Sequence, residues 1–354
     1  MEIKANLVKQ LRDITDAGMM DCKKALVEVN GDIDKAIEYL RQKGLSKAAK
    51  KTSKVAAEGL IALKVEKDLS KAALVEINSE TDFVAKNENF RELSLNVLET
   101  ILDSNTLKVE DLKKLNIKDL PFEEYLQSQI AKIGENIVVR RLSLIESNNK
   151  SIVNGYLHSN ERVGVLVVLG FKNESSKEKL EKLSKNICMH AAAMKPKIIS
   201  YEEFDLEFVE NEKKALKAEI EKENEEAKRL GKPLKKIPEF ISRKELTKEV
   251  LENAKARFKE DLKAQKKPEA IWDRILPGML DRFIADNTLL DQRLTLEGQF
   301  FVMDDKKTIL DVLKEESKNL NDEISILQYV RFELGEGIQK EKEDFAQAVA
   351  AQMQ

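Results

Sequence analysis

SETDFVAKNENF, from Ser79 to Phe90, stands where a strand pattern gives way to a helix pattern. Just before it, Ala73 to Ile77 is a short, mostly apolar run that reads as a strand. After it, Phe90, Leu93, Val97, Leu98 and Ile101 recur on one helical face. Thr81 and Asp82 are residue types that cap such a helix. Phe83 lies one heptad before Phe90, so a continuous helix turns its ring toward the same packed face. Local pattern alone predicts a strand, a cap and a helix from Asp82 to Ile101, with Phe83 in the core.

Outward from this stretch the plan repeats. Gly59–Val65 and Ala73–Ile77 read as a hairpin ahead of the Asp82–Ile101 helix. Val153–His158 and Val163–Leu169 read as a second hairpin, followed by a helix from Ser176 to Met194. Each unit closes with one more strand, Ile137–Ile145 for the first and Leu327–Glu333 for the second. The fold expected is α+β, a duplicated β-β-α core with small antiparallel sheets covered by helices on one face. The core subdomains are placed at 59–148 and at 149–204 plus 291–335.

Residues 1–45 read as a three-helix module. Leu7, Leu11 and Ile14 mark the first helix and Met20–Val29 the second; Ile33, Ala36, Ile37 and Leu40 mark the third. The string LVEVNGDIDKAIEYL resembles ubiquitin-associated domains, so the module is expected to be ubiquitin-associated-like (UBA-like). Met19 and Met20 are adjacent, and successive helical residues do not face the same way. One is then core and the other exposed, unless both serve as packing. KGLSKAAKKTSKVAAEG, residues 43–59, carries five lysines and one glutamate and supplies a basic linker, placed at 46–58. With no aromatic residue interleaved for base stacking, it reads as a solvated tether.

From Asp205 to Ala270 the texture shifts: 34 of 66 residues are charged. Val209, Leu216, Ile220, Ala227 and Leu230 follow mixed three-and-four spacing, as do Leu246, Val250, Ala254, Phe258 and Leu262. With Gly231-Lys232-Pro233 and Pro238 between them, two helices predict a protruding antiparallel coiled-coil hairpin, inserted over 205–290 with its return limb. Pro277-Gly278 in that limb predicts a kink or break. A C-terminal amphipathic helix is expected within 336–354.

The 61 basic and 64 acidic residues nearly balance, which argues against a broad nucleic-acid footprint. No apolar run approaches the ~20 residues that span a membrane. MEIKANLVKQL lacks an apolar h-region and a small-residue cleavage site, so cytoplasm is the expected compartment. Cys22 and Cys188 are expected as reduced, buried thiols. The two histidines, His158 and His190, stand in no ligand set, and no Walker loop, dinucleotide fingerprint or nucleophile with an adjacent base is present. The reading is a protein that is not an enzyme and takes no cofactor.

LRDITDAGMMDCKKAL (Leu11–Leu26) followed by TDFVAKN resembles the bacterial elongation factor Ts family, the guanine-nucleotide exchange factors of elongation factor Tu. IAKIGENIVVRR (130–141), CMHAAAMKP (188–196), GQFFVMDDKKTILDVLKE (298–315) and VRFELGEGI (330–338) extend the likeness along nearly the whole chain. Asp16 replaces a glycine common in the family, Lys86 an arginine, and Ser159-Asn160-Glu161 a glycine-rich turn.

The resemblance implies binding to elongation factor Tu, GDP-bound and nucleotide-free, with release of GDP accelerated by displacement of Mg2+. No direct binding of nucleotide, membrane or specific nucleic acid is implied. Thr81, Asp82, Phe83 and Val84 would dislodge the ion, Phe83 as a wedge with Asp82 as its polar partner. Arg12, Met19 and Met20 would touch the nucleotide-binding domain of the partner. His190 would reach near the nucleotide and Val302-Met303 the distal β domain, unless these three are helix and strand core. Two other classes compete: a non-catalytic scaffold built on the UBA-like module and coiled coil, and an RNA binder using the lysine tract.

Overall fold

The computed structural model describes residues 3–15, 17–49 and 54–339. It divides into two compact units, residues 1–166 with 330–354 and residues 167–329. The first begins with α1 (Ala5–Thr15), α2 (Met19–Glu28) and α3 (Ile33–Ala49). Val8, Leu11, Cys22, Ala25, Leu26 and Ala36 form their shared core, with Ile33, Ile37 and Leu40 against it. Asn30 and Gly31 take positive φ between α2 and α3, and the Gly31 N–H donates to the Leu26 carbonyl at 2.7 Å. Asp32 then accepts from the Lys35 N–H at 3.0 Å and caps α3. The third helix runs on through Gly44 to Ala49, into the basic tract. Residues 50–53 of that tract, Asp16 and the expected helix from 340 onward lie outside the described residues.

The chain continues through β1 (Glu58–Val65), β2 (Lys71–Ser79), α4 (Asp82–Ala85), α5 (Glu88–Ser104) and α6 (Val109–Leu112). After the short pair β3 (Asn116–Ile117) and β4 (Leu120–Pro121) come α7 (Phe122–Ile133), β5 (Ile137–Glu146), β6 (Ser151–Leu157) and β7 (Val163–Gly170). β2 pairs antiparallel with both β1 and β5, and Leu74 stands opposite Leu63 and Ser143. Phe90, Leu93, Val97, Leu98 and Ile101 of α5 meet Leu60, Ala62, Ala73, Val75 and Ile77 of the hairpin in one core. The opposite face of the hairpin is closed by backbone at close range. A Cβ on Gly164 would lie 2.5 Å from the Leu74 Cδ1 and 2.7 Å from the Ile61 Cγ2, so both side chains would have to move for any larger residue.

A buried carboxylate locks the first sheet to the end of the chain. Glu76 is fully buried and accepts from Arg140 at 2.9 Å and from the Gly335 N–H at 2.8 Å, and pairs with Arg141. Arg141 also donates to the Glu333 carbonyl at 2.9 Å and lies over the Phe332 ring. Two arginines on one acidic group satisfy both of its oxygens, which makes a charge tolerable at zero exposure.

The second unit holds α8 (Lys177–Met194), α9 (Leu206–Arg229), α10 (Lys248–Ala264), α11 (Trp272–Asp286) and α12 (Leu289–Leu294). β8 (Phe300–Phe301), β9 (Asp304–Thr308), α13 (Ile309–Leu320) and β10 (Ser325–Glu333) follow. The strand orders β1-β2-β5 and β6-β7-β10 are the same plan: a hairpin whose second strand receives a third after intervening helices. That is the α+β duplication the hydrophobic pattern predicts. Cys22 and Cys188 are buried free thiols, and burial pushes Cys188 up to about 12.

Three elements depart from the sequence reading. The helix expected over Asp82–Ile101 is two helices, α4 and α5, with Asn87 capping the second through the Asn89 N–H at 2.9 Å. The excursion is not a pair of facing helices: after α9, residues 232–242 return without regular secondary structure. Asn224 holds both the N–H (2.7 Å) and the carbonyl (2.8 Å) of Lys235, and Lys213 meets Glu245 at 2.7 Å. α10 packs instead on α11, where Phe258 and Phe283 meet edge to face at 6.0 Å. α11 itself runs unbroken through Pro277. Only one backbone bond is lost near the helix start, and α11 has no fully buried residue, so water reaches the carbonyl left free.

Candidate functional site

β2 ends at Ser79, whose hydroxyl donates to the Thr81 carbonyl at 2.9 Å. Thr81 is extended (φ −125°, ψ 157°) and leads into the single turn of α4. Its own side chain does not cap that turn. Instead the Thr81 N–H and hydroxyl both donate to Glu135, at 2.9 and 2.6 Å. Neighbouring residues of one turn point apart. Val84 is buried at 8 % exposure, whereas Phe83 is 78 % exposed, with Asp82 also in solvent.

The inward placement of Phe83 expected from the heptad does not occur. Lys86-Asn87 ends α4, and the Asn87 cap starts α5 in a new phase, so the seven-residue count to Phe90 carries no geometry across the break. Phe90 is fully buried. A phenyl ring 78 % exposed four residues past the end of β2 has no packing role in the chain itself.

A second apolar surface surrounds the α1–α2 turn. Met19 and Met20 are 58 % and 64 % exposed, and Arg12 and Ile14 are exposed on the last turn of α1. The division of the two methionines between core and solvent is not what the chain adopts. Both occupy the first turn of α2, and its core contacts start one turn later, at Cys22.

In the second unit, Val302 and Met303 form the exposed two-residue tip between β8 and β9, where Phe301 stands opposite Asp304. His190 is fully buried and does not reach the surface expected of a partner contact. Its Nδ1 accepts from the Val302 N–H at 3.3 Å, so Nε2 carries the proton and donates to Gln299 Oε1 at 3.1 Å. The ring packs 5.9 Å from that of Phe301, and burial pulls the imidazole down to about 4. His190 thus holds the Val302-Met303 tip from beneath, as a neutral ring.

A family model described as Elongation factor TS matches residues 80–237 and 235–336. The chain is 62% identical over 353 residues to Elongation factor Ts of Helicobacter hepaticus, covering 100% of this chain and 99% of the relative. Identity to the Wolinella succinogenes protein of the same name is 62% over 352 residues, and to a Helicobacter pylori one 61% over 351, each with 99% of both chains covered. The chain belongs to the elongation factor Ts family. Membership places it among translation elongation factors. The elongation factor Ts model takes in the α4 turn, His190 and the β8–β9 tip. The α1–α2 surface lies before the matched residues but inside the full-length likeness to elongation factor Ts relatives.

Among the described residues no helix is long and apolar enough to cross a membrane, and no group of three or more His, Cys, Asp or Glu is placed to hold a metal. Sequence reasoning passed over Glu135, Asn136 and Asn87 as parts of the site. IAKIGENIVVRR was visible as a motif, but nothing in its spacing says that Glu135 meets Thr81, 54 positions away.

Proposed function

We propose that this chain binds elongation factor Tu in its GDP-bound and nucleotide-free forms and accelerates GDP release by displacing Mg2+ from the partner. The observation that carries the reading is the exposed Phe83 ring on a turn fixed from both sides. An exchange factor must bind the nucleotide-free partner better than the loaded one, and linkage makes the antagonism reciprocal. A ring inserted between two elements of the partner cannot coexist with their closed packing. The Mg2+ held by that closed form supplies much of the charge balance at the diphosphate, so its loss loosens GDP.

In this reading Thr81, Asp82, Phe83 and Val84 divide the labour. Phe83 enters the partner, Asp82 meets its polar groups, Val84 roots the turn and Thr81 ties it down. Arg12, Met19 and Met20 anchor on the nucleotide-binding domain of the partner, and Val302-Met303 on its distal β domain. His190 acts through that tip rather than by contact. The module 1–45 is UBA-like, with 46–58, helical as far as Ala49, joining it to the core; the core subdomains are 59–148 and 149–204 plus 291–335. The inserted arm is 205–290, the tail 336–354, and the compartment is the cytoplasm. The chain itself performs no bond chemistry and holds no nucleotide, cofactor or nucleic acid.

The deciding measurement is stopped-flow release of fluorescent GDP from elongation factor Tu across Mg2+ concentrations. The parent chain should accelerate release. Phe83→Ala should slow it by at least about tenfold, equal to ~1.4 kcal/mol of barrier reduction lost. Chelating Mg2+ should partly restore the variant. A chain that binds the partner and leaves the rate unchanged is a scaffold, and the reading fails.

A further inference from the structure

The GEN triplet at 134–136 carries no assigned role, yet it grips the turn that bears Phe83. Gly134 ends α7 in the left-handed region (φ 89°), and its N–H donates to the Ile130 carbonyl at 2.8 Å. The chain therefore reverses sharply and brings Glu135 against Thr81. Each carboxylate oxygen takes one Thr81 donor: Oε2 the N–H at 2.9 Å and Oε1 the hydroxyl at 2.6 Å. The next residue grips the next one back. The Asn136 N–H donates to Glu80 at 2.7 Å and its side chain to the Lys54 carbonyl at 2.7 Å, with Asn136 buried. Lys54 closes the loop by pairing with Glu80 at 2.8 Å.

α4 is four residues long with one buried apolar anchor, Val84, and no side-chain cap of its own. A single turn of that kind does not hold itself in water. Its direction is set by Ser79 behind it and by Glu135 beside it. The two carboxylate oxygens take the two Thr81 donors separately, each in its own direction, and a charged acceptor makes both bonds stronger than neutral ones. We propose that Glu135 is a positioning residue for nucleotide exchange: its carboxylate clamps Thr81 and thereby fixes the angle at which Phe83 is presented to the GTPase. The proposal rests on the exchange reading above, and it acts through Phe83.

The test uses the full-length chain with two independent readouts. The first needs no partner: amide hydrogen exchange of residues 80–86 in Glu135→Gln. Glutamine replaces one of the two accepting oxygens by an NH2 donor and removes the charge, so amides 81–86 should exchange about tenfold faster, while those of α5 keep parent rates. The second is maximal GDP release at saturating factor. Glu135→Gln should lower it about tenfold, and should lower it no further in a Phe83→Ala background. Thr81→Val should reproduce the loss from the other side of the clamp, and Thr81→Ser, which keeps the hydroxyl, should restore it.

Unchanged amide exchange at 81–86 overturns the clamp. Loosening spread through β2 and β5 overturns it too, because Glu135 would then support the fold in general. Slowing that multiplies with Phe83→Ala shows that Glu135 acts by another route and also refutes the proposal. If the parent chain fails to accelerate GDP release at all, the exchange reading falls, and the hydrogen-exchange result alone still decides whether Glu135 holds the turn.

Discussion

Phe83 and Phe90 are the same side chain seven residues apart, with opposite duties. Phe90 is buried against the first sheet, so Phe90→Ala should cost ~3–5 kcal/mol of folding stability. Phe83→Ala removes a ring that touches little, so its urea midpoint should stay within about 0.5 kcal/mol of the parent. Two melts settle the assignment, and equal losses would refute it. His190 gives a pH signature. Its folded value is pulled down to about 4, below the 6.5 of a free imidazole, so the unfolded chain takes up the proton first. The stability it contributes is complete above about 6.5 and drains away as pH falls toward 4, by on the order of 3 kcal/mol in all. Stability of the parent relative to His190→Gln, measured in urea at pH 7, 5 and 4, should shrink by about that amount, since the shared carboxylates cancel.

At the level of elements, the arm divides into a root and a tip. Phe204, Val209, Ile241 and Leu290 form the root cluster, and the Asn224–Lys235 bonds mark where the tip begins. Replacing the largely exposed residues 225–234 by a short glycine linker should leave the thermal midpoint nearly unmoved. Ile241→Ala at the root should cost ~2–5 kcal/mol by chemical denaturation. The strands and the long helices α5 and α8 were legible in the sequence because each buries a continuous face, and burial writes a period. The arm was half legible: three-and-four spacing marks Leu216 and Ile220 as helical but does not name the neighbour they meet. The irregular return past Lys235 depends on the Asn224 side-chain bonds and the α10–α11 pairing on Phe258 meeting Phe283, and neither leaves a periodic trace. The candidate site divides the same way. The α4 residues are named through a motif, whereas their outward display follows from the break between α4 and α5 at Lys86-Asn87, and Glu135 is brought in just before β5.

On the scale of the whole molecule, the first unit is built from both ends of the chain, which leaves it within β7 and re-enters it within β10. Glu76 is where the two ends are tied. Glu76→Ala leaves Arg140 and Arg141 without their shared carboxylate and the Gly335 N–H without its acceptor, and should destabilise the protein by ~3–5 kcal/mol in calorimetry. A parent-like midpoint would mean that the cluster is already satisfied by solvent. The tie also orders events during the protein's own synthesis. The last strand of the first sheet ends at Glu146, but Gly335 is made 189 residues later. At ~5–20 residues per second this is a wait of roughly 10–40 s. The three N-terminal helices can settle as soon as they emerge, because among the described residues their core draws on nothing beyond Leu40. The sheet behind Phe83 has its Glu76–arginine pairs once β5 is made but waits for the Gly335 N–H and the Glu333 carbonyl, so a nascent chain stalled before Gly335 carries the Phe83 turn on a sheet whose buried charges are not yet covered.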